Sequence, residues 1–196
     1  MDRRSIEMEA TKEKQRLVNG VRVDDLFETI DAIKETPAVA KSKFRATNKW
    51  IRGGHNRTTI NDFFAAQEER EHKDTFELEA DEPQLLLGED LGPNPVEYLL
   101  TGLAACMTTG LVYHAAAKGI ELRGVESRLE GDIDLQGFLG ISPDVAVGYE
   151  NIRVHFKIDA DISDEQKEEL IEMAQKYSPV FNTVLNATPV TVKLDK

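Results

Sequence analysis

A single cysteine, one tryptophan and 7% aromatic residues occur in the 196-residue sequence, and basic side chains number 24 against 36 acidic ones. With one thiol the chain cannot close an internal disulfide, so its stability does not depend on an oxidising compartment. The deficit of basic charge, a formal net −12, argues against a nucleic-acid-binding face and against an anionic membrane surface. An uninterrupted apolar span of membrane length is missing. The charged N-terminus, Met1-Asp2-Arg3-Arg4-Ser5, lacks the apolar stretch of a signal peptide. His55, His72, His114 and His155 form no His-x-x-x-His pair and none stands at ligand spacing from Cys106, so neither a metal nor another cofactor is expected. What remains is a cytoplasmic globular protein of a length that buries one core well.

Patterning then sketches the elements. Residues 1–20 are charged without a period and read as a frayed helix or a tail. Asp24 reads as the N-cap of a short helix whose Leu26, Phe27, Ile30 and Ile33 recur at helical spacing, ended by Thr36-Pro37. Residues 43–51 and 57–60 have strand composition around the turn-forming Gly53-Gly54-His55-Asn56. Residues 63–72 are open between helix and loop: Ala65, Ala66 and Glu68-Glu69-Arg70-Glu71 favour helix, their neighbours a loop. Phe76, Leu78 and Ala80 alternate with Glu77 and Glu79 as in a half-buried strand. Further on, Val125, Leu129, Ile133 and Leu135 share one parity. Ile152, Val154, Phe156, Ile158 and Ala160 share another, the strongest two-residue period in the chain. Residues 136–150 join these strands as a long glycine-bearing loop. Ser163 with Gln166 makes a capping box for a helix with Leu170, Met173, Ala174 and Tyr177 inward. Ser178-Pro179 starts another helical turn, and Val190, Val192 and Leu194 form a closing strand.

The clearest helix start is Asn94-Pro95-Val96-Glu97: a cap, an N1 proline and an N3 glutamate. From there to Ala117 nearly every face is apolar or small, and Lys118-Gly119 closes the helix. Such a helix needs cover on every side, more than one sheet of about six strands supplies. Strands in runs around a buried helix predict an α+β fold, completed by a second copy of the chain in a homodimer.

Cys106 lies in this helix, about 18 Å from its start, beyond reach of the helix dipole. A thiol there is either a nucleophile or a small apolar filler. Gly102 and Gly110 flank it on the same face, permitting a close helix crossing or room for a substrate. Asp81, Glu82, Glu89 and Asp90 read as a solvated rim. Gly137 to Gly140 is too short to cradle phosphate.

Four pieces resemble the osmotically inducible protein C / organic hydroperoxide resistance (OsmC/Ohr) family. They are Gly92-Pro93-Asn94-Pro95-Val96-Glu97, Leu99-Leu100 with Ala104-Ala105-Cys106, Glu130-Gly131-Asp132 with Gly137-Phe138-Leu139-Gly140, and Ser178-Pro179-Val180-Phe181-Asn182. The resemblance implies an OsmC-like domain over residues 42–196, behind an extension of residues 1–41. It implies an intertwined homodimer of antiparallel sheets enclosing central helices, and reduction of organic hydroperoxides by a helix cysteine, matched here by Cys106. An arginine and a glutamate hold that thiolate in the peroxidase branches. The arginine corresponds to Arg57 or Arg52. The family glutamate stands ten residues before the cysteine, where this chain has Val96, with Glu97 adjacent. Nine residues of helix turn Glu97 roughly half a revolution out of phase with Cys106, so a capping role competes with a catalytic one. The candidate catalytic set is Cys106, Arg57 and Glu97. The family's second cysteine is replaced by Ser178, so oxidised Cys106 would need an external thiol reductant. A non-catalytic dimer binding a small apolar ligand is the alternative.

Overall fold

The computed structural model describes residues 15–195; the expectation for residues 1–14 lies outside them. The chain opens on a hairpin of β1 (Leu17–Val18) and β2 (Val21–Arg22). Asn19 and Gly20 turn it with φ of 53° and 77°, the doubly positive geometry for which Asn-Gly is favoured. Residues 17–20 are therefore neither frayed helix nor tail, and Asn-Gly between apolar residues is the signal that the flanking charges obscure. Helix α1 (Val23–Glu35) begins one residue before the expected cap; Arg22 takes the N-cap position without a side-chain bond. Asp24 instead accepts the Arg16 N–H at 2.9 Å. Val23 is buried, whereas Phe27, Ile30 and Ile33 lie exposed.

Next come β3 (Lys43–Phe44), β4 (Thr47–Arg52), β5 (His55–Ala65) and β6 (Glu68–Ala80). Strand β5 pairs along one edge with β4 and β3 and along the other with β6, all antiparallel. The Gly53-Gly54 turn stands as expected, but His55 and Asn56 already belong to β5. Residues 63–72 are two strands rather than helix or loop. Ala66 and Gln67 turn them with φ of 51° and 64°, although neither is a usual left-handed residue. Pairing of Phe63 with Arg70 and Phe64 with Glu69 overrides the helical preference of the glutamate run. Arg45 reinforces it by bonding Asp62 at 2.6 Å and Glu69 at 2.7 Å across the strands.

Helix α2 (Pro95–Ala117) has the capping box read from the sequence. The Val96 N–H donates to Asn94 Oδ1, and the Asn94 N–H donates to Glu97 Oε2, both at 2.9 Å. Beyond it, Gly119 takes a φ of 72°, as a helix-ending glycine does. Strands β7 (Leu122–Asp132) and β8 (Asn151–Ala160) form a two-stranded antiparallel ribbon. Its alternation holds, but Ile133 and Leu135 fall outside β7. Asp134 caps a one-turn helix α3 (Leu135–Phe138) in their place. Helix α4 (Asp164–Tyr177) starts from the Ser163–Gln166 capping box, and α5 (Pro179–Leu185) from Ser178. Leu170 and Ala174 of α4 are buried, while Tyr177 turns outward.

Leu111 and Ala115 of α2 pack with Leu170 and Ala174 of α4, and Val125, Phe156 and Ile158 of the ribbon close around them. That packing is the core. By length and composition α2 could cross a membrane, but its buried stripe of Leu103, Met107, Leu111 and Ala115 makes it a core helix. Asn19 clamps the N-terminal hairpin beside this core. Its side chain donates to the Ile120 carbonyl and accepts from the Leu122 N–H, both at 2.8 Å.

The α+β class holds, with two departures. The described residues form separate sheets of two, four and two strands, not one of about six. The closing strand is absent: Val190, Val192 and Leu194 are each more than 80% exposed and unpaired. Alternation supplies a face, but a strand also needs a neighbour for its N–H and C=O groups, and none of the described residues pairs with this segment.

Candidate functional site

Cys106 sits on α2 between Leu103 and Met107, which are 2% and 1% exposed, and is itself only partly buried. The two flanking glycines differ in role. A Cβ on Gly110 would meet the Ala174 Cα at 4.0 Å, so α2 and α4 cross closely there; a Cβ on Gly102 would meet nothing. One glycine serves packing and the other leaves open space one turn from the thiol.

The polar group at the sulfur is Ser178, whose Oγ donates to Cys106 Sγ at 3.1 Å. The α4–α5 corner is built to hold it there. The Leu170 and Ala174 contacts fix α4 against α2, Pro179 starts α5, and the Phe181 N–H donates to Ser178 Oγ at 3.1 Å. The Asn182 side-chain amide donates to the carbonyls of Gln175, Lys176 and Ser178 at 3.1, 3.2 and 2.9 Å. Ser178 is 1% exposed. The Ser178-Pro179 signal locates the corner in sequence; the crossing of α4 over α2 is what brings it to Cys106.

Arg57 and Glu97 lie elsewhere in the single chain. Arg57 projects from β5, where its Nε donates to Glu79 Oε1 at 2.6 Å. His55 Nε2 bonds the other Glu79 oxygen at 2.8 Å. The Arg57 guanidinium, and then His55, hold the Glu79 carboxyl below the usual carboxylate range. Arg52 pairs with Glu89. Glu97 is engaged in the α2 capping box. Among the described residues, no hydrogen bond or ion pair joins Arg57, Arg52 or Glu97 to Cys106.

His114 packs against Tyr177 with the rings tilted by 42° and their centroids 5.2 Å apart, and burial, then Lys118, push its imidazole down. Among the described residues, no group of three His, Cys, Asp or Glu side chains could hold a metal ion.

Two cavities lie away from the thiol. One of about 620 Å³ is bounded by Pro93, Val96, Glu97 and Leu100 at the start of α2 and by Glu130 and Tyr149. The Tyr149 hydroxyl donates to the Val96 carbonyl at 2.9 Å. Its ring crosses Gly131 so closely that a Cβ there would stand 2.5 Å from it, which accounts for the glycine in Glu130-Gly131-Asp132. A smaller cavity of about 130 Å³ is walled by Arg52, His55, Asp81 and Glu89.

Asp81 is not part of a solvated rim, since it is 1% exposed. Burial alone would raise its carboxyl, but N–H donors from Glu82, Leu91 and Glu89 outweigh that and hold it below its ordinary value. A carboxyl that titrates lower folded than unfolded adds stability above about pH 4, lost as the pH falls through the folded value. Amide exchange at Glu82, Glu89 and Leu91 is therefore expected to lose protection below that point in the parent. In Asp81→Asn this acid-dependent step disappears; an unchanged step in the variant refutes the assignment.

The family model described as OsmC-like protein matches residues 88–193, more than half of the chain. No curated protein matches the sequence. Among solved structures, an OsmC-like protein from Mycoplasma pneumoniae aligns with a TM-score of 0.56 and 22% identity, covering 74% of this chain and 89% of that one. An OsmC-like protein of unknown function from Vibrio cholerae gives 0.56 at 11% identity, covering 73% and 94%. An organic hydroperoxide resistance protein OsmC from Legionella pneumophila gives 0.51 at 19% identity, covering 72% and 89%. These likenesses extend the shared fold beyond the matched segment, and the family match establishes that the chain belongs to the OsmC/Ohr family.

Proposed function

We propose that the protein reduces organic hydroperoxides by a one-cysteine cycle, with Cys106 as nucleophile and an external thiol as reductant. The observation that carries this reading is the Cys106 sulfur, partly accessible on α2 and 3.1 Å from a hydroxyl where the peroxidase branches keep their second cysteine. Family membership and the hydroperoxide-resistance relative from Legionella pneumophila support it.

In the first step the Cys106 thiolate attacks the terminal peroxide oxygen. The O–O bond breaks, the alkoxide leaves and takes a proton to become the alcohol, and the sulfur is oxidised to a sulfenic acid. Ser178 has no thiol with which to trap it. One external thiol therefore condenses with the sulfenic acid, releasing water and leaving a mixed disulfide. A second external thiolate attacks that disulfide and restores Cys106. A reducing cytoplasm is the compartment that supplies such thiols. Arg57 is the cation assigned to the developing negative charge, exchanging Glu79 for substrate; Glu97 is assigned to the helix cap.

The same reading takes a homodimer as the working unit. Phe44, Trp50 and Phe76 on the strand arm are 77%, 70% and 52% exposed, and the apolar tail from Val190 to Leu194 is unpaired. Large apolar side chains left exposed in this number are accounted for by an interface. Light scattering on the eluted protein is expected to give twice the mass of one chain; a single species of one-chain mass overturns the assembly.

Ligand binding without chemistry is the competing reading, favoured by the pairing of Arg57 with Glu79 rather than with the sulfur. Incubation with cumene hydroperoxide and a small thiol decides between them. Catalytic peroxide loss, with a sulfenic-acid probe captured at Cys106, is the expected result. Binding of the apolar compound with neither signal refutes the enzyme.

A further inference from the structure

We infer that Ser178 is a positioning residue for the Cys106 sulfur, holding by hydrogen bond the anion that the sulfur must become in order to react. The inference rests on the proposed reactivity of Cys106 but goes beyond it, because a serine at this place would otherwise count only as the loss of a resolving thiol. Three observations carry it. The Ser178 hydroxyl has one hydrogen, and the acceptor it reaches is Cys106 Sγ at 3.1 Å. Its oxygen already accepts the Phe181 N–H, which leaves that hydrogen directed at the sulfur. The side chain is 1% exposed and its carbonyl is held by Asn182, so the donor is placed before any substrate arrives. A fixed donor to an ionised acceptor makes a stronger bond than one to a neutral acceptor, so Ser178 favours the thiolate over the thiol. The hydroxyl remains beside the sulfur after oxidation, where it can bond the sulfenic oxygen without attacking it. Serine at this corner thus keeps the oxidised sulfur open to an outside thiol.

The donor also weakens the intrinsic nucleophilicity of the thiolate it stabilises, which offsets part of the gain. The net effect expected of Ser178→Ala is an iodoacetamide alkylation rate at neutral pH about threefold to tenfold below the parent, with a larger proportional fall in thiolate ultraviolet absorbance. Ser178→Thr, which keeps the hydroxyl, is expected within about twofold of the parent. Thr and Val at this position, alike in shape and different in the hydroxyl, repeat the comparison should alanine unsettle the corner. A purely structural serine would leave alkylation and absorbance unchanged in Ser178→Ala, and that result overturns the inference. Thr no faster than Val overturns it equally. Alkylation does not involve peroxide. A parent whose thiol obeys Ser178 yet consumes no cumene hydroperoxide therefore refutes the reductase and leaves the positioning role standing.

Discussion

Cys106→Ser is expected to consume cumene hydroperoxide at least on the order of a thousandfold more slowly than the parent, in the presence of the same external thiol. The size of the loss follows from the step removed. A thiolate is a strong nucleophile with an accessible two-electron oxidation, whereas a serine hydroxyl is neutral at physiological pH and has no sulfenic state. No second cysteine exists to take over. The substitution exchanges sulfur for oxygen at a partly buried position, so the fold should persist and far-UV circular dichroism should match the parent. The sulfenic-acid probe should label the parent and not the variant. Equal rates in the two proteins would mean that any peroxide loss arises elsewhere, and the reductase proposal would fall.

Ser178→Cys is expected to behave differently in kind. It places a second sulfur where Oγ now stands, 3.1 Å from Cys106 Sγ, and a disulfide needs about 2.05 Å. A shift of about 1 Å closes it, well within what a side-chain rotation supplies. One equivalent of hydroperoxide should then convert the variant to an intrachain disulfide. The intact mass falls by about 2 Da, both thiols become unreactive, and a dithiol reductant restores them. Cross-linking residues 72 apart in sequence should also raise stability against denaturant by about 4 kcal/mol. A variant that stays fully thiol-reactive after oxidation would show that the corner cannot bring position 178 to the sulfur. It would remove the main support for the site as described.

The two positions also mark what sequence reading can and cannot reach. Asn94-Pro95-Val96-Glu97 and Ser163 with Gln166 declare their helices because a cap is a local event, made by side chains within three residues of the backbone they bond. The alternation from Ile152 to Ala160 is equally readable, since both faces of a strand are written along one segment. The hairpin from Phe63 to His72 is not. Its turn uses Ala66 and Gln67 at positive φ, and its Glu69 is held by Arg45, a residue 24 positions earlier. Val190 to Leu194 fails for the complementary reason: the pattern is present, and no neighbour among the described residues makes it a strand.

Composition and local pattern by themselves determined the α+β class, the central helix and its cap, the lone thiol and the absence of a resolving partner for it. Each depends only on which residues are present and on spacings of a few positions. Tertiary structure alone decided that Asp81 is buried, that Arg57 pairs with Glu79, and that, among the described residues, the Ser178 hydroxyl bonds the Cys106 sulfur. The last two contacts join residues about 20 and 70 positions apart, and they form only where packed helices and paired strands carry the side chains to the same place.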